Sequence, residues 1–118
     1  MKVQEVARVC HEVNRSLQIF QNDYRIPISN DWDNTDAETQ ASALQGVLAV
    51  LEGQGPAELH QSWLNFKISH GWTLGPTKDE DLKEHPSLVP YEDLPESQRL
   101  KDHVFYAIVH AMTERGVT

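Results

Sequence analysis

Apolar residues recur at spacings of three and four along most of this chain, and this spacing constrains the fold more than any other feature. Such a repeat places the apolar side chains on one face of an α-helix. It appears in four segments, so the sequence predicts a mainly α fold with four helices. The first helix runs from about Val3 to Phe20, and its apolar face comprises Val3, Val6, Ala7, Cys10, Val13, Leu17 and Phe20.

A capping box marks the start of the second helix. Thr35 is followed three residues later by Glu38, and such a pair satisfies free backbone amides at a helix start. The helix is expected to run from about Asp36 to Leu51. Its inward-facing residues are Ala43, Leu44, Val47, Leu48 and Leu51.

Proline and glycine bound the third and fourth helices. Pro56 suits the first turn of the third helix, and Gly71 stands at the left-handed position just past its end. Trp63 lies on the apolar face of this helix, so core packing is expected for it. The fourth helix is expected to begin near Pro95 and to run to Gly116.

The segment between these two helices, residues 70–91, departs from the helical pattern; it reads "HGWTLGPTKDEDLKEHPSLVPY". Its parts "WTLG" and "SLVPY" predict a small two-stranded antiparallel element, and Asp79–Glu84 predicts one helical turn. Trp72 follows Gly71 directly, so we expect the indole to leave the helix half-exposed, where it can stack on a planar ligand. The alternative is that Trp72 packs against the fourth helix.

Length and charge limit the classes of function. The 118 residues fit one domain, 1–118, and no apolar run reaches the length of about 20 residues that a membrane span needs. The net charge is −8 with only 10 Lys and Arg, which argues against binding to duplex nucleic acid. A small phosphorylated ligand, by contrast, needs only one or two local cations. The single cysteine, Cys10, indicates a reducing, cytoplasmic setting.

Motifs for catalysis or metal binding are missing from the sequence. There is no His-Glu-x-x-His, no Cys-x-x-Cys, no P-loop and no Gly-x-Ser-x-Gly. Cys10 lies next to His11, but neighbouring helical side chains point about 100° apart, and Cys10 falls on the apolar face. We therefore expect an inert thiol, no metal, no cofactor, no catalytic residue and no enzymatic activity.

The stretch "HQSWLNFKISHGWTLGPTKDEDLKEHPSLVPYEDLPESQR" resembles the RyR domain, the repeat found in the cytoplasmic part of ryanodine receptors. The resemblance covers residues 58–113 as the repeat core and leaves 1–53 as an N-terminal helical extension, which looks like that of stand-alone bacterial and phage forms. Two positions depart from the repeat: Gln61 replaces the usual Glu, and Leu74 replaces the usual Tyr before Gly75. The matching positions are His60, Trp63, Gly71, Trp72, Gly75, Pro76, Asp79, His85, Pro86, Leu88, Val89, Pro90, Tyr91, Leu94 and Pro95.

The resemblance implies a non-catalytic binding module for a nucleotide-derived small molecule, such as an adenine nucleotide or a cyclic ADP-ribose-like signal, which the domain senses or sequesters. In those terms Trp72 stacks on the base and Lys78 approaches a phosphate, while Tyr91 closes one side. Asn14 and Arg15 lie on the polar flank of the first helix, with Arg15 as a second phosphate ligand. A protein-interaction or structural module that uses the aromatic turn as a binding patch is the alternative, because Trp and Tyr dominate such patches.

Receptor repeats come in tandem pairs, whereas this chain carries one copy, so we predict a homodimer or higher homo-oligomer that recreates the pair. Static light scattering over a range of protein concentrations is expected to give a mass above that of one chain. A mass equal to one chain at every concentration would contradict the prediction.

Overall fold

The helical prediction is confirmed by a computed structural model that describes residues 2–117, with side chains for residues 2–113. Within that range the chain forms four α-helices, α1 (Val3–Gln21), α2 (Ala37–Leu51), α3 (Pro56–Ser69) and α4 (Glu96–Val117). A short 3-10 turn, Tyr91–Asp93, precedes α4. The helix ends agree with the sequence expectation to within about two residues, which is the usual uncertainty of such boundaries.

The apolar faces of the helices meet in one core. α1 packs against α2 and α4, and α3 packs against the same two helices. Full burial of a Val or Leu side chain stabilises the fold by about 1.5–3 kcal/mol, so these contacts hold the helices together. The buried core consists of Val6, Ala7, Cys10, Val47, Ala49, Val50, Leu59 and Val109.

The buried core contains fewer residues than the apolar faces that the spacing predicts. Phe20 at the end of α1 is 87% exposed, and Leu48 and Leu51 on α2 are about half-exposed. Near its C-terminus α1 buries Gln18 instead of an apolar side chain. The expectation that the inward face of α1 continues to Phe20 is therefore wrong, because the last turns of this helix border a polar cavity and not the core.

The cap of α2 differs from the capping box expected from the sequence. Asp36, not Thr35, is the N-cap residue, and its Oδ1 accepts a hydrogen bond from the Thr39 amide at 2.7 Å. Glu38 therefore does not form a capping box with Thr35. Its carboxylate is free to accept hydrogen bonds from side chains that follow α3.

α3 ends in a Schellman motif centred on Gly71, which has a φ of +87°. The Gly71 amide donates to Ile68 O and the Trp72 amide donates to Lys67 O, both at 3.0 Å. This motif brings the residue after the glycine back over the residue third from the helix end. Trp72 is thereby directed back onto Lys67, and not outward into solvent.

The two short strands, β1 (Thr73–Leu74) and β2 (Glu84–His85), pair in parallel, so the predicted antiparallel orientation is wrong. The chain reverses direction twice between them. The second reversal is a turn closed by two backbone hydrogen bonds between Asp79 and Glu84, at 2.9 and 3.0 Å. Asp79–Glu84 is thus a turn and not the expected helical turn, and β2 precedes the predicted strand "SLVPY".

Gly75, at the end of β1, allows the strands to approach closely. A Cβ atom at this position would lie 2.5 Å from the Glu84 Cβ, which no side chain tolerates without a shift of the backbone.

No helix within residues 2–117 is both long and apolar enough to cross a membrane.

Gly71→Ala is expected to lower the free energy of unfolding by roughly 1–2 kcal/mol, because the left-handed conformation costs a residue with a Cβ about that much. There is space for the new methyl group, since the nearest atom is 3.9 Å away, so the loss reports on backbone conformation alone. Urea unfolding followed by far-UV circular dichroism measures it. Gly71→Asn is the matched control and should lose less, because Asn tolerates this conformation. Equal losses for both variants would contradict the explanation.

Candidate functional site

A cavity of about 200 Å³ lies where the four helices meet the segment after α3. We call it the central cavity. Most of the residues that line it have polar side chains, although apolar atoms contribute the larger part of its surface. The lining residues come from all four helices and from the loops 22–36 and 70–95.

Three lysines converge on the central cavity: Lys67 from α3, Lys78 from the segment after β1 and Lys101 from α4. Burial lowers the pKa of all three, and the charge of Lys78 lowers the pKa of the other two further. For Lys101 the pKa falls to about 8. None of the three forms an ion pair with a carboxylate of the described side chains. The cavity is thus a local positive region in an acidic chain.

Lys67 is held against the face of Trp72. Its Nζ lies 4.4 Å from the centre of the indole ring, which is a cation–π geometry. The indole Nε1 donates a hydrogen bond of 3.0 Å to Glu38 Oε2, which ties the end of α3 to the start of α2. Burial opposes ionisation of Glu38, but the indole and the nearby lysines outweigh it and lower its pKa.

The expected half-exposure of Trp72 is wrong. The indole is 5% exposed and does not line the central cavity, because the Schellman motif packs it beneath Lys67. Its polar and aromatic contacts include Lys67 of α3, Glu38 of α2 and His85 of β2.

Trp63, expected in the core, is instead half-buried and lines the cavity. His60 stacks beside it at 5.5 Å between ring centres, and His85 meets it edge-on at 5.0 Å. The three rings form an aromatic wall of the cavity. Trp63 and Lys67 stand four residues apart in α3, which places them on the same face of the helix. This spacing is the sequence signal for the side of α3 that faces the cavity.

Both histidines of this wall are neutral. Burial lowers the pKa of His85 to about 3, with the positive lysines acting in the same direction. Its Nδ1 accepts a hydrogen bond of 3.0 Å from the Ser87 amide, so the ring proton is on Nε2. Burial also lowers the pKa of His60, whose Nε2 donates to Val89 O at 2.8 Å.

Lys78 is positioned by the loop before α2. Its amide donates to Arg25 O at 2.7 Å, and its Nζ lies 3.5 Å from Ser29 Oγ. Gln18 fixes Ser29 through two hydrogen bonds, from its Nε2 to Ser29 Oγ and from the Ser29 amide to its Oε1. Arg15 donates from Nε to Ser29 O at 2.8 Å. Arg15 therefore stabilises the loop and does not line the cavity.

The structure brings two of the five predicted site residues, Asn14 and Lys78, into the cavity lining. Tyr91 lies outside the lining, with its hydroxyl hydrogen-bonded to His103 Nε2 at 3.0 Å. Lys67 and Lys101 were not selected from the other cations at the level of sequence, because both lie on helices whose relative rotation is set only by packing.

Asp102 is the one carboxylate among the described residues that line the cavity. Its side chain is 18% exposed, and burial raises its pKa to about 7, partly offset by the charge of Lys101. Its Oδ2 has no hydrogen-bond partner among the described residues, nor does Nε2 of Gln98, one turn earlier on α4. No group of three or more His, Cys, Asp and Glu within the described range is placed to hold a metal ion.

The RyR domain profile matches residues 34–117, which is more than half of the chain. The chain belongs to the RyR domain family. The match includes α2, α3, the paired strands and α4, and so begins closer to the N-terminus than residue 58, where the motif resemblance starts. No solved structure matches the chain significantly.

Asp102→Asn is expected to stabilise the free domain in a pH-dependent way. A carboxyl group whose pKa is raised by folding favours the folded state only at low pH, and that contribution is lost as the pH rises through about 7. The variant should therefore gain about 3 kcal/mol of stability over the wild type between pH 5 and pH 8.5, because the wild type loses about 1.4 kcal/mol for each pH unit from 5 up to the folded pKa of about 7. Urea unfolding at both pH values measures the difference.

The control for this experiment is Asp33→Asn, which removes an exposed carboxylate that pairs with Arg8 at 3.1 Å. This variant should gain nothing between pH 5 and pH 8.5. An Asp102→Asn variant with the same stability relative to wild type at both pH values would show that Asp102 is not held against ionisation by burial.

Proposed function

We propose that this RyR domain is a non-catalytic binding module for a phosphorylated, nucleotide-derived small molecule. An adenine nucleotide or a cyclic ADP-ribose-like signal fits this class, and the domain either senses or sequesters it. The observation that carries the proposal is the convergence of Lys67, Lys78 and Lys101 on one cavity without a paired carboxylate among the described side chains.

Electrostatics supports an anionic ligand. Buried ammonium groups that repel one another and form no direct ion pair among the described side chains destabilise the folded state, and a bound anion offsets that cost. Lys67 is only 6% exposed, so water provides little of the compensation. Lysine binds phosphate as a point charge, and a hydrogen bond to a charged group contributes about 1.5–3 kcal/mol. A phosphate group is therefore the natural occupant.

The aromatic wall supports a planar group next to the phosphate. Trp63 takes the role that the sequence assigned to Trp72, because it is the indole that borders the cavity. Stacking of a base on an aromatic side chain contributes about 1–3 kcal/mol. The cavity, at about 200 Å³, is smaller than the 300–1,000 Å³ typical of sites that enclose a whole ligand. One phosphorylated sugar unit fills it, with the base at its mouth beside Trp63.

Two features support binding without turnover. Burial raises the pKa of the Cys10 thiol to about 12, so the only cysteine is not a nucleophile at neutral pH. His60 and His85 have lowered pKa values and are engaged through one ring nitrogen each, which removes them as acids near neutral pH.

The partner-binding alternative loses its main support, because Trp72 is buried and offers no exposed aromatic patch. The homo-oligomer and the cytoplasmic location stay predictions of the sequence.

Lys101→Met is expected to weaken binding of ADP-ribose, AMP or pyrophosphate by roughly 10- to 100-fold, as loss of one charge-assisted hydrogen bond implies. Wild-type affinity should fall as the pH rises past 8, because Lys101 loses its proton near that value. Isothermal titration calorimetry measures both effects, and quenching of Trp63 fluorescence gives a second signal for the nucleotides.

Lys2→Met is the charge-matched control, since Lys2 is exposed and does not line the cavity; its affinity should equal that of the wild type. Absence of heat and of fluorescence change with all three probes would overturn the proposal. Mass spectrometry of the nucleotide recovered from the complex should show it unaltered, and a hydrolysed product would replace the binding module by an enzyme.

A further inference from the structure

The cavity has a second recognition element that the lysines do not explain. Three buried side-chain atoms of the described residues lack a hydrogen-bond partner, and two of them, Gln98 Nε2 and Asp102 Oδ2, belong to residues that line the central cavity. Gln98 is 8% exposed and Asp102 is 18% exposed in its side chain. Buried polar groups are nearly always partnered, so two such atoms on one wall indicate a missing partner.

Helix geometry places the two side chains together. Gln98 and Asp102 stand four residues apart in α4, and residues at this spacing are neighbours on one helix face. Both follow the turn at the start of α4, where Leu94 is buried and anchors the helix to the rest of the fold. The pair is thus held on a fixed element, which suits recognition of a defined group.

The contact between Asp102 and His60 does not supply the missing partner. His60 Nε2 donates to Val89 O, so the neutral ring presents a lone pair at Nδ1. Asp102 Oδ2 lies 3.9 Å from that Nδ1, which is too long for a hydrogen bond. Above its pKa of about 7 Asp102 is ionised, and its carboxylate and the imidazole lone pair are then both acceptors, so a hydrogen-bond donor is required between or beside them.

The chemistry of the missing partner follows from the two atoms. Asp102 Oδ2 requires a donor, and Gln98 Nε2 requires an acceptor. A hydroxyl group is both at once, because its hydrogen donates and its lone pairs accept. A water molecule has the same capacity in the free domain, and a ligand hydroxyl that reproduces both hydrogen bonds replaces it without loss.

We propose that Gln98 and Asp102 form a specificity-determining pair that recognises a sugar hydroxyl of the ligand, so that the domain selects a ribose phosphate over its deoxyribose counterpart. This inference rests on the proposed function, since Lys101, which precedes Asp102 in α4, supplies the adjacent phosphate contact. Rejection of the deoxy compound follows because it leaves both buried atoms without a partner.

The test compares adenosine 5′-monophosphate with its 2′-deoxy and 3′-deoxy forms by isothermal titration calorimetry. The wild type is expected to bind the ribose compound at least about tenfold more tightly than one of the deoxy forms. Asp102→Leu and Gln98→Leu should each reduce that ratio to about twofold or less. Neither variant should weaken binding of inorganic pyrophosphate, which carries no hydroxyl of a sugar and reports on the lysines alone.

Gln61→Leu, an exposed change on α3 outside the cavity lining, is the control and should keep the wild-type ratio. Two results would overturn the inference separately from the proposed function. In the first, the wild type binds both deoxy forms as tightly as the ribose compound and still binds pyrophosphate in a Lys101-dependent manner. This result supports the phosphate site and contradicts the role of Gln98 and Asp102 in recognising a hydroxyl. An unchanged ratio in both Leu variants does the same. Failure of the wild type to bind pyrophosphate and all three nucleotides would overturn both proposals.

Discussion

The contact between the Lys67 ammonium and the Trp72 indole determines how the irregular segment between α3 and α4 is arranged. The Schellman motif at Gly71 brings the two side chains together, and the hydrogen bond from Trp72 to Glu38 fixes the indole against α2. From that anchored point the chain enters β1, and β2 must then pair beside it. His85 and Lys78 reach the central cavity only because this pairing fixes the path of the segment between them.

The central cavity exists at a cost to stability. Lys78 repels both Lys67 and Lys101 in a buried setting, while burial raises the pKa of Asp102 to about 7 and its Oδ2 has no partner among the described residues. A small domain of this size has a limited core, here one cluster of eight buried apolar residues in the described part. Under the proposed function a bound ligand compensates these groups, and the positive charge of the lysines makes that ligand an anion.

The helices were predictable because their signals are local. Apolar spacing, Pro56 and Gly71 act within a turn or two of the chain, and the matched motif identified the family from residues close in sequence. The errors arose where distant segments meet. Glu38, expected to close a capping box, instead accepts a hydrogen bond from the Trp72 indole after α3. The parallel pairing of β1 and β2 depends on two chain reversals, whose combined direction no single turn signal gives.

The sequence by itself determined four helices, their approximate ends, the RyR family and the presence of an irregular segment after α3 that contains Trp72 and Lys78. Only the tertiary structure decided which tryptophan borders the cavity and which cations enter it. Trp63 was expected in the core and Trp72 at the ligand site, and the structure reverses this assignment. The Schellman motif turns the Trp72 indole inward, while the rotation of α3 directs Trp63 toward the cavity. Helix rotation and the path of a loop are set by packing between segments remote in sequence, and local patterns carry no record of that packing.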